Sequence, residues 1–331
     1  MAFELNKIHH SDWMNNGLPD KSVHLIIADP PYFEVKGEFD FIWKTFDEYL
    51  QQMEAWAKEF RRILADNGTL FIYGDRKVVA YVQVIFDKYF KWENHIIWKK
   101  PASFTEGFSD SLRSFPQRCF ERILMYSVMA AGQTYEITGL QAVHDDNNNF
   151  KSIKDYLDAE LNKSGMTTKD VNELWNNGRA GHCFGFTKKD KVQFQFLSEL
   201  QYKQLQDKTG NFQKTYDDLR QEYESQRQEY ESQRRYFNNF LRLHDCWEFT
   251  NGNPSAHEHA TPKPEEMTRV MILSCSKEKD LVLIPFAGSG TECAMCAKEN
   301  RNFIGFEIDE RYIKASQKRT GLIQMQPNLF H

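Results

Sequence analysis

The stretch IIADPPYFEV at 26–35 ends an apolar run in an acid, two prolines and an aromatic. Asp29 and the carbonyl of Pro30 can both accept hydrogen bonds from one NH2 group, Pro31 stiffens the turn, and Tyr32 offers a flat face for stacking. A second candidate is PFAGSGT at 285–291, where Gly288 and Gly290 permit a tight strand-to-helix turn and close approach of backbone to a ligand. Such turns also occur for packing alone. About twenty residues on, IGFEID ends in Glu307, an acid placed to accept from both hydroxyls of a ribose, or simply to be solvated at a strand end. No basic cluster or Gly-Lys-Ser/Thr follows the glycines, which argues against a triphosphate and for a ribose-bearing ligand without phosphates. An exocyclic NH2 of a nucleobase is a poor nucleophile, because its lone pair is delocalised into the ring. Two acceptors at Asp29 and Pro30 would favour a pyramidal nitrogen that can attack a methyl sulfonium.

These residues need elements to position them. Val23 to Ala28 reads as a buried parallel strand. A helix over Thr45 to Leu64, a turn at Asp66-Asn67-Gly68, a strand Thr69 to Tyr73, a helix Lys77 to Lys88 and a strand His95 to Lys99 follow. Pro264 opens another helix, then come a strand Leu281 to Ile284, the glycine turn, a helix to Asn300 and a strand Asn302 to Glu307. The two chain ends are expected to form one doubly wound, Rossmann-like α/β sheet, with residues 1–126 and 244–331 as the catalytic domain.

Between them lies a more polar, largely helical insertion. Residues 152–186 give two short helical patterns around Ser164-Gly165-Met166, the spacing of a helix-turn-helix. Its second helix, Thr168 to Trp175, would offer Lys169, Asn172, Asn176 and Asn177, with Arg179 and His182 just beyond, residue types able to read base edges. The alternative is a packing subdomain with a polar surface. Residues 127–196 are taken as the target-recognition region and 197–243 as a helical arm, because QEYESQR occurs at 221–227 and again at 228–234. Extended backward, the heptad puts Tyr202, Tyr216, Tyr223, Tyr230 and Phe237 at one seam position and Leu205, Phe212, Leu219, Gln226, Gln233 and Phe240 at the other, a coiled-coil-like seam with a polar centre. One unbroken helix would reach about 70 Å, although Gly210 is placed to break it. A solvated helix packed on its own protein and a homodimer arm both satisfy this pattern. Residues 99–122 interleave Lys99, Lys100, Arg113, Arg118 and Arg122 with phenylalanines, as a phosphate-tracking loop or a plain solvated basic loop would.

Of the 331 residues 40% are hydrophobic, enough for a full core, and the net charge of −5 carries no global basic signature. Nucleic-acid contact would therefore rest on a local patch. The N-terminus has no signal-peptide pattern, and no apolar run reaches transmembrane length; a soluble cytoplasmic protein is expected. The six scattered cysteines form no disulfide framework. Cys293 and Cys296 read as buried small residues, His9, His10, His257 and His259 carry no metal pattern, and no metal is expected.

In their order, LPDKSVHLIIADPPY, IIWKKP, HATPKPEEM, VLIPFAGSGT and IGFEIDERYI resemble the β class of amino-methylating DNA methyltransferases, in which the catalytic motif precedes the cofactor motif. The resemblance implies S-adenosylmethionine as cofactor, with Phe286, Ala287, Gly288, Ser289 and Gly290 around it and Glu307 on its ribose. It implies Asp12, with Trp13 beside it, at the cofactor's adenine, and Asp29, Thr261, Lys263 and Pro264 on the cofactor side. It also implies double-stranded DNA as substrate and an aspartate-headed motif like that of adenine-N6 enzymes, catalysis resting on Asp29, Pro30, Pro31 and Tyr32 with base flipping. A cognate restriction endonuclease would be a possible partner of such an enzyme. Cytosine-N4 transfer, or a non-catalytic DNA-binding scaffold, are the alternatives. Segment 152–186, ending in the HCF of His182-Cys183-Phe184, resembles a recognition module of phage-type DNA methylases. The chain departs from the family at Ala260 and Pro262, and at Ile284, where an acid is usual.

Overall fold

Val23–Ala28 alternates apolar side chains between two covered faces, as a strand must when helices pack on both sides. The computed structural model describes residues 4–35, 40–100, 120–128, 150–176, 178–184, 194–233, 235–250 and 263–324. In chain order its elements are β1 (Lys7–His10), β2 (Val23–Ala28), α1 (Phe46–Ile63), β3 (Leu64–Gly74), α2 (Val79–Phe86), β4 (Phe90–Lys99), β5 (Phe120–Val128), α3 (Lys151–Ser164), α4 (Thr168–Trp175), α5 (Ala180–Cys183), α6 (Glu199–Thr209), α7 (Tyr216–Gln233), β6 (Cys246–Glu248), α8 (Glu265–Cys275), β7 (Leu281–Ile284), α9 (Thr291–Lys298), β8 (Asn302–Glu307) and α10 (Glu310–Gln324). A short 3-10 turn covers Trp13–Asn15.

Contacts group residues 1–136 and 235–331 into one unit and 137–234 into another. The first unit holds a mixed eight-stranded sheet in the order β1-β8-β7-β2-β3-β5-β4-β6. β1, β8, β7, β2 and β3 run parallel, β5 runs against both of its neighbours, and β6 lies parallel to β4. From β2 the chain crosses to β3 on one side, whereas from β7 it crosses to β8 on the other. Winding therefore reverses between β2 and β7, and a crevice opens at their carboxyl ends. Alternate residues supply the two cores. Ile26, Ala28, Leu70, Ile72 and Leu283 pack with α1 and α2, while Leu25, Ile27, Phe71, Tyr73, Val282 and Ile284 pack with α8 and α9.

Helix α1 is capped by Thr45, whose hydroxyl oxygen accepts from the Glu48 amide at 3.1 Å. Asp47 and Glu48 lie in its first turn and Arg61 and Arg62 in its last, complementing the helix dipole. Tyr49, Met53, Trp56, Phe60 and Ile63 form its buried stripe. Several strands escaped the sequence reading. β1 is only four residues at an edge, β5 is a reversed strand beyond a basic segment, and β4 begins at Phe90 rather than His95. Asp66-Asn67-Gly68 is not a turn between separate elements: β3 starts at Leu64, and the surplus residues make a register shift, Val23 facing Leu64 and Leu25 facing Thr69.

The second unit is all-helical among its described residues, and Ile153, Leu157, Val171, Phe184, Tyr202, Leu205, Phe212 and Leu219 are fully buried in its core. Helix α3 ends at Gly165 with φ +70°, and α4 opens with a Thr167–Asp170 capping box. Gly210, at φ +69°, ends α6, so no continuous arm forms. The apolar half of the heptad seam is buried here against α3 and α4, so these residues do not need a second copy of the chain. Residues 197–233 thus belong with 150–196 in one packed unit.

Gly305 in β8 shows how tightly the sheet is covered, since a Cβ there would come within 2.7 Å of Cys293 Sγ and 3.0 Å of Ile8 Cγ1. Gly305→Ala is expected to lower stability by about 1–3 kcal/mol through overpacking, read as a lower midpoint in urea with an unchanged slope.

Candidate active site

The crevice at the winding reversal receives two turns. Asp29 to Tyr32 leaves β2, and Pro285 to Gly290 leaves β7. Asp40, itself buried, holds the first turn: its Oδ1 accepts from the Tyr32 amide at 2.6 Å, and its carbonyl accepts from the Glu34 amide at 2.9 Å. The second turn is held by the Ala287 amide donating to the Phe306 carbonyl at 2.8 Å and the Gly290 amide donating to Ala287 at 2.7 Å. Gly288 and Gly290 have φ of +47° and +74°. At Gly290 packing also demands glycine, because a Cβ would lie 2.7 Å from Ser316 Cβ.

Glu307 closes this turn. Its Oε2 accepts from the Gly288 amide, and its Oε1 accepts from the amides of Ile308 and Asp309, each at 2.8 Å. Three backbone donors leave part of the carboxylate's acceptor capacity open and fix its orientation. Phe286 is half-buried, its ring 4.8 Å from Trp56 and 6.2 Å from Trp13. Trp13 is itself core, stacked on Phe60 at 4.4 Å, and its indole N–H has no hydrogen-bond partner among the described residues. Asp12 is exposed and accepts from the Met14 amide at 2.9 Å, capping the short turn that carries Trp13. Ser289 is buried with its hydroxyl 3.1 Å from that of Thr291, and Ile284 is fully buried.

Around Asp29 the structure builds a charge cluster from distant parts of the chain. The Tyr32 hydroxyl donates to Asp29 Oδ1 at 2.6 Å, and the Lys263 ammonium donates to Asp29 Oδ2 at 2.5 Å. Lys263 precedes α8 beside Pro264, and its ammonium meets the opposite charge of Asp29. The same nitrogen sits 3.6 Å from Glu121 Oε2 and 4.9 Å from the centre of the Tyr73 ring. Glu121 Oε1 accepts from Lys100. Burial alone would lower the pKa of Lys263, but Asp29 and Glu121 outweigh it and the ammonium is held above its ordinary range. Burial would likewise raise Glu121, yet Lys263 and Lys100 leave it lowered. Burial, with Asp29 and Glu121 adding, keeps the Tyr32 hydroxyl protonated and a donor.

Asp40, Tyr73, Glu121 and Glu292 were not singled out from sequence. A lone acid opening the apolar strand ERILMYSV is the one signal that could have marked Glu121. Other expected residues scatter. Lys99 pairs with Glu248 at 2.6 Å, Lys100 is engaged with Glu121, and Arg122 lies within β5 rather than in a loop. On the second unit Lys169, Asn176, Arg179 and His182 are exposed on or after α4. Asn172 is half-buried, and its Oδ1 accepts from the Ala180 amide at 2.7 Å, a structural duty that competes with reading a base. Cys183 and Phe184 of HCF are core. Thr261, Arg113, Arg118 and Asn177 lie outside the described residues. No described helix is long and apolar enough to cross a membrane.

Glu292, in the first turn of α9, is buried, and burial with Asp29 nearby pushes its carboxyl up to about 7. A raised acid contributes stability fully present below about pH 4.5 and lost as pH rises through about 7. Glu292→Gln is therefore expected to match the wild type near pH 4.5 and to exceed it by up to about 3 kcal/mol at pH 8, measured by chemical denaturation across that range.

The DNA methylase family profile matches residues 23–318. Type II methyltransferase M2.DpnII of Streptococcus pneumoniae is 41% identical over 330 residues, covering 94% of this chain and 87% of that protein. Type II methyltransferase M.HinfI of Haemophilus influenzae is 24% identical over 329 residues, covering 94% of this chain, and the chain spans 66% of that relative's length. The solved structure of PvuII DNA methyltransferase (cytosine-N4-specific) is similar in fold, with a TM-score of 0.51 at 11% identity over 98% of this chain and 93% of that one. With a profile match across most of its length and a relative of this identity, the chain belongs to the DNA methylase family.

Proposed function

We propose that the protein transfers a methyl group from S-adenosylmethionine to adenine N6 in duplex DNA. The observation that carries this reading is the placement of the Asp29-Pro30-Pro31-Tyr32 turn beside the glycine turn of β7 at the reversal of winding. A nucleoside fits the glycine turn: Glu307 is oriented by three backbone amides and keeps acceptor capacity for a ribose diol. The cofactor, when bound, supplies an electrophilic methyl group.

The chain's own residues do the rest. Asp29 Oδ1 and the Pro30 carbonyl accept the two N–H bonds of the exocyclic amine and hold its lone pair out of the ring plane. The Tyr32 hydroxyl, which occupies Oδ1 in this structure, gives way to that amine as the ring takes up the base. Flipping the base costs a few kcal/mol, part of which stacking on Tyr32 returns. Lys169, Asn176, Arg179 and His182 are proposed to meet DNA, as exposed basic or amide groups of the second unit. Trp13 packs edge to face against Phe286. A type II endonuclease partner would act on the same site in unmethylated DNA. Cytosine-N4 transfer makes the same demand on Asp29 and Pro30, and adenine is preferred because aspartate heads the motif.

Incubation with duplex DNA and methyl-labelled S-adenosylmethionine, followed by digestion to nucleosides and mass analysis, is expected to give N6-methyladenine. Labelled N4-methylcytosine would overturn the base assignment, and no label from folded protein would overturn the activity. Asp29→Ala is expected to cut kcat by at least about 100-fold while calorimetry still detects cofactor binding. Glu307→Ala is expected to weaken cofactor affinity by about tenfold or more, in line with losing hydrogen bonds to a charged acceptor.

A further inference from the structure

Four side chains form a line of alternating charge that ends on the proposed nucleophile-orienting carboxylate. Lys100 follows β4, Glu121 lies on β5, Lys263 precedes α8 and Asp29 follows β2. Their separations along the chain rule out a local helical or turn pairing. Lys263 is only 7% exposed and makes its shortest contact, 2.5 Å, to Asp29 Oδ2; Glu121 Oε2 stands 3.6 Å behind it, and Glu121 Oε1 is taken by Lys100. Tyr73 closes the side of the ammonium with its ring, and the buried Glu292 is a further acid near both Lys263 and Asp29.

We propose that Lys263 and Glu121 are positioning residues for methyl transfer: Lys263 clamps Asp29 Oδ2 so that Oδ1 faces the incoming amine, and Glu121 offsets the charge of Lys263. The inference rests on the methyltransferase reading above. Its logic is electrostatic. As the amine nitrogen bonds to the methyl carbon, the sulfur–methyl bond of S-adenosylmethionine breaks and its electron pair returns to sulfur, which leaves as the neutral thioether S-adenosylhomocysteine. The positive charge passes to the nitrogen, which then loses one N–H proton to solvent. An acceptor carboxylate favours that charge, while an ammonium 2.5 Å from the same carboxylate opposes it. Lys263 alone would give Asp29 the right orientation and the wrong local charge. With Glu121 behind it, the ammonium is neutralised from the far side, and Asp29 keeps its strength as an acceptor.

The roles of the two residues are coupled in a way that fixes a sign. While Lys263 is present, Glu121 helps Asp29 by shielding the cation. Once Lys263 is gone, Glu121 keeps only Lys100 and no cation stands between it and Asp29; the like charge favours a proton on Asp29, which weakens it as an acceptor. Removing the Glu121 charge should therefore slow the wild type and speed a Lys263-less enzyme.

The test is a double-mutant cycle on the full chain with duplex DNA and methyl-labelled S-adenosylmethionine, using Glu121→Gln, Lys263→Met and the double variant. Glu121→Gln is expected to lower kcat about tenfold with the KM for S-adenosylmethionine within about twofold, and Lys263→Met to lower kcat about 100-fold. The double variant should run about threefold or more faster than Lys263→Met alone. Equal slowing by Glu121→Gln in both backgrounds, or none in the wild type, overturns the inference. So does an effect confined to KM. If Lys263→Met does not unfold cooperatively, Lys263→Gln takes its place in the same cycle with the same sign expected. A wild-type chain that transfers no methyl group overturns the underlying reading instead; transfer at wild-type rate by Glu121→Gln overturns this inference alone.

Discussion

The pairing of β2 with β7 is the constraint on which the rest of the structure depends. Leu25 and Ile26 lie beside Val282 and Leu283, more than 250 residues away along the chain. Because the connections leave these strands in opposite directions, helices fall on both faces and the carboxyl ends remain uncovered. The Asp29 and Gly288 turns then share one crevice with no helix of their own between them. Residues 137–234 can form a separate unit for the same reason: their insertion falls between strands at the far side of the sheet and leaves the β2–β7 pairing intact.

Charge decides what happens inside the crevice. Burying an isolated ammonium or carboxylate would be prohibitive, so the cluster is arranged with opposite signs in contact, Lys100 to Glu121 to Lys263 to Asp29. Glu292 lacks such a counter-charge at contact distance among the described residues, and it responds by holding its proton to about pH 7. The same physics thus yields an ionised cluster and a neutral acid within one site. For the cluster, breaking one pair leaves the next charge buried without its partner, which makes these residues act as a unit.

The second unit spends its heptad pattern locally. Tyr202 and Phe212 meet edge to face at 5.8 Å, and Phe196 stacks on Tyr223 at 4.4 Å. Aromatic side chains at seam positions are large enough to satisfy one another within a small helical unit. The exposed polar surface of α4 and the turn beyond it remains, where Lys169, Asn176, Arg179 and His182 lie. Phe184, four residues past Ala180, whose amide donates to Asn172, is drawn into the core and ties the surface to it.

By itself the sequence determined the α/β class, the sheet from both chain ends, helix α1, the break at Gly210, and the two turns that carry Asp29 and Gly288. Each of these is written in local pattern: apolar periodicity, caps, prolines and glycines act within a few residues of themselves. Only the tertiary structure decided that Lys263 belongs to Asp29, that Glu121 and Lys100 stand behind it, that Asp40 holds the Tyr32 amide, and that Asn172 serves a turn. It also decided the reversed strand β5 and the edge strand β1. Those facts depend on which distant segments meet, and the partners of a buried charge or an edge strand are set by packing across the sheet, which leaves no periodic signal along the chain.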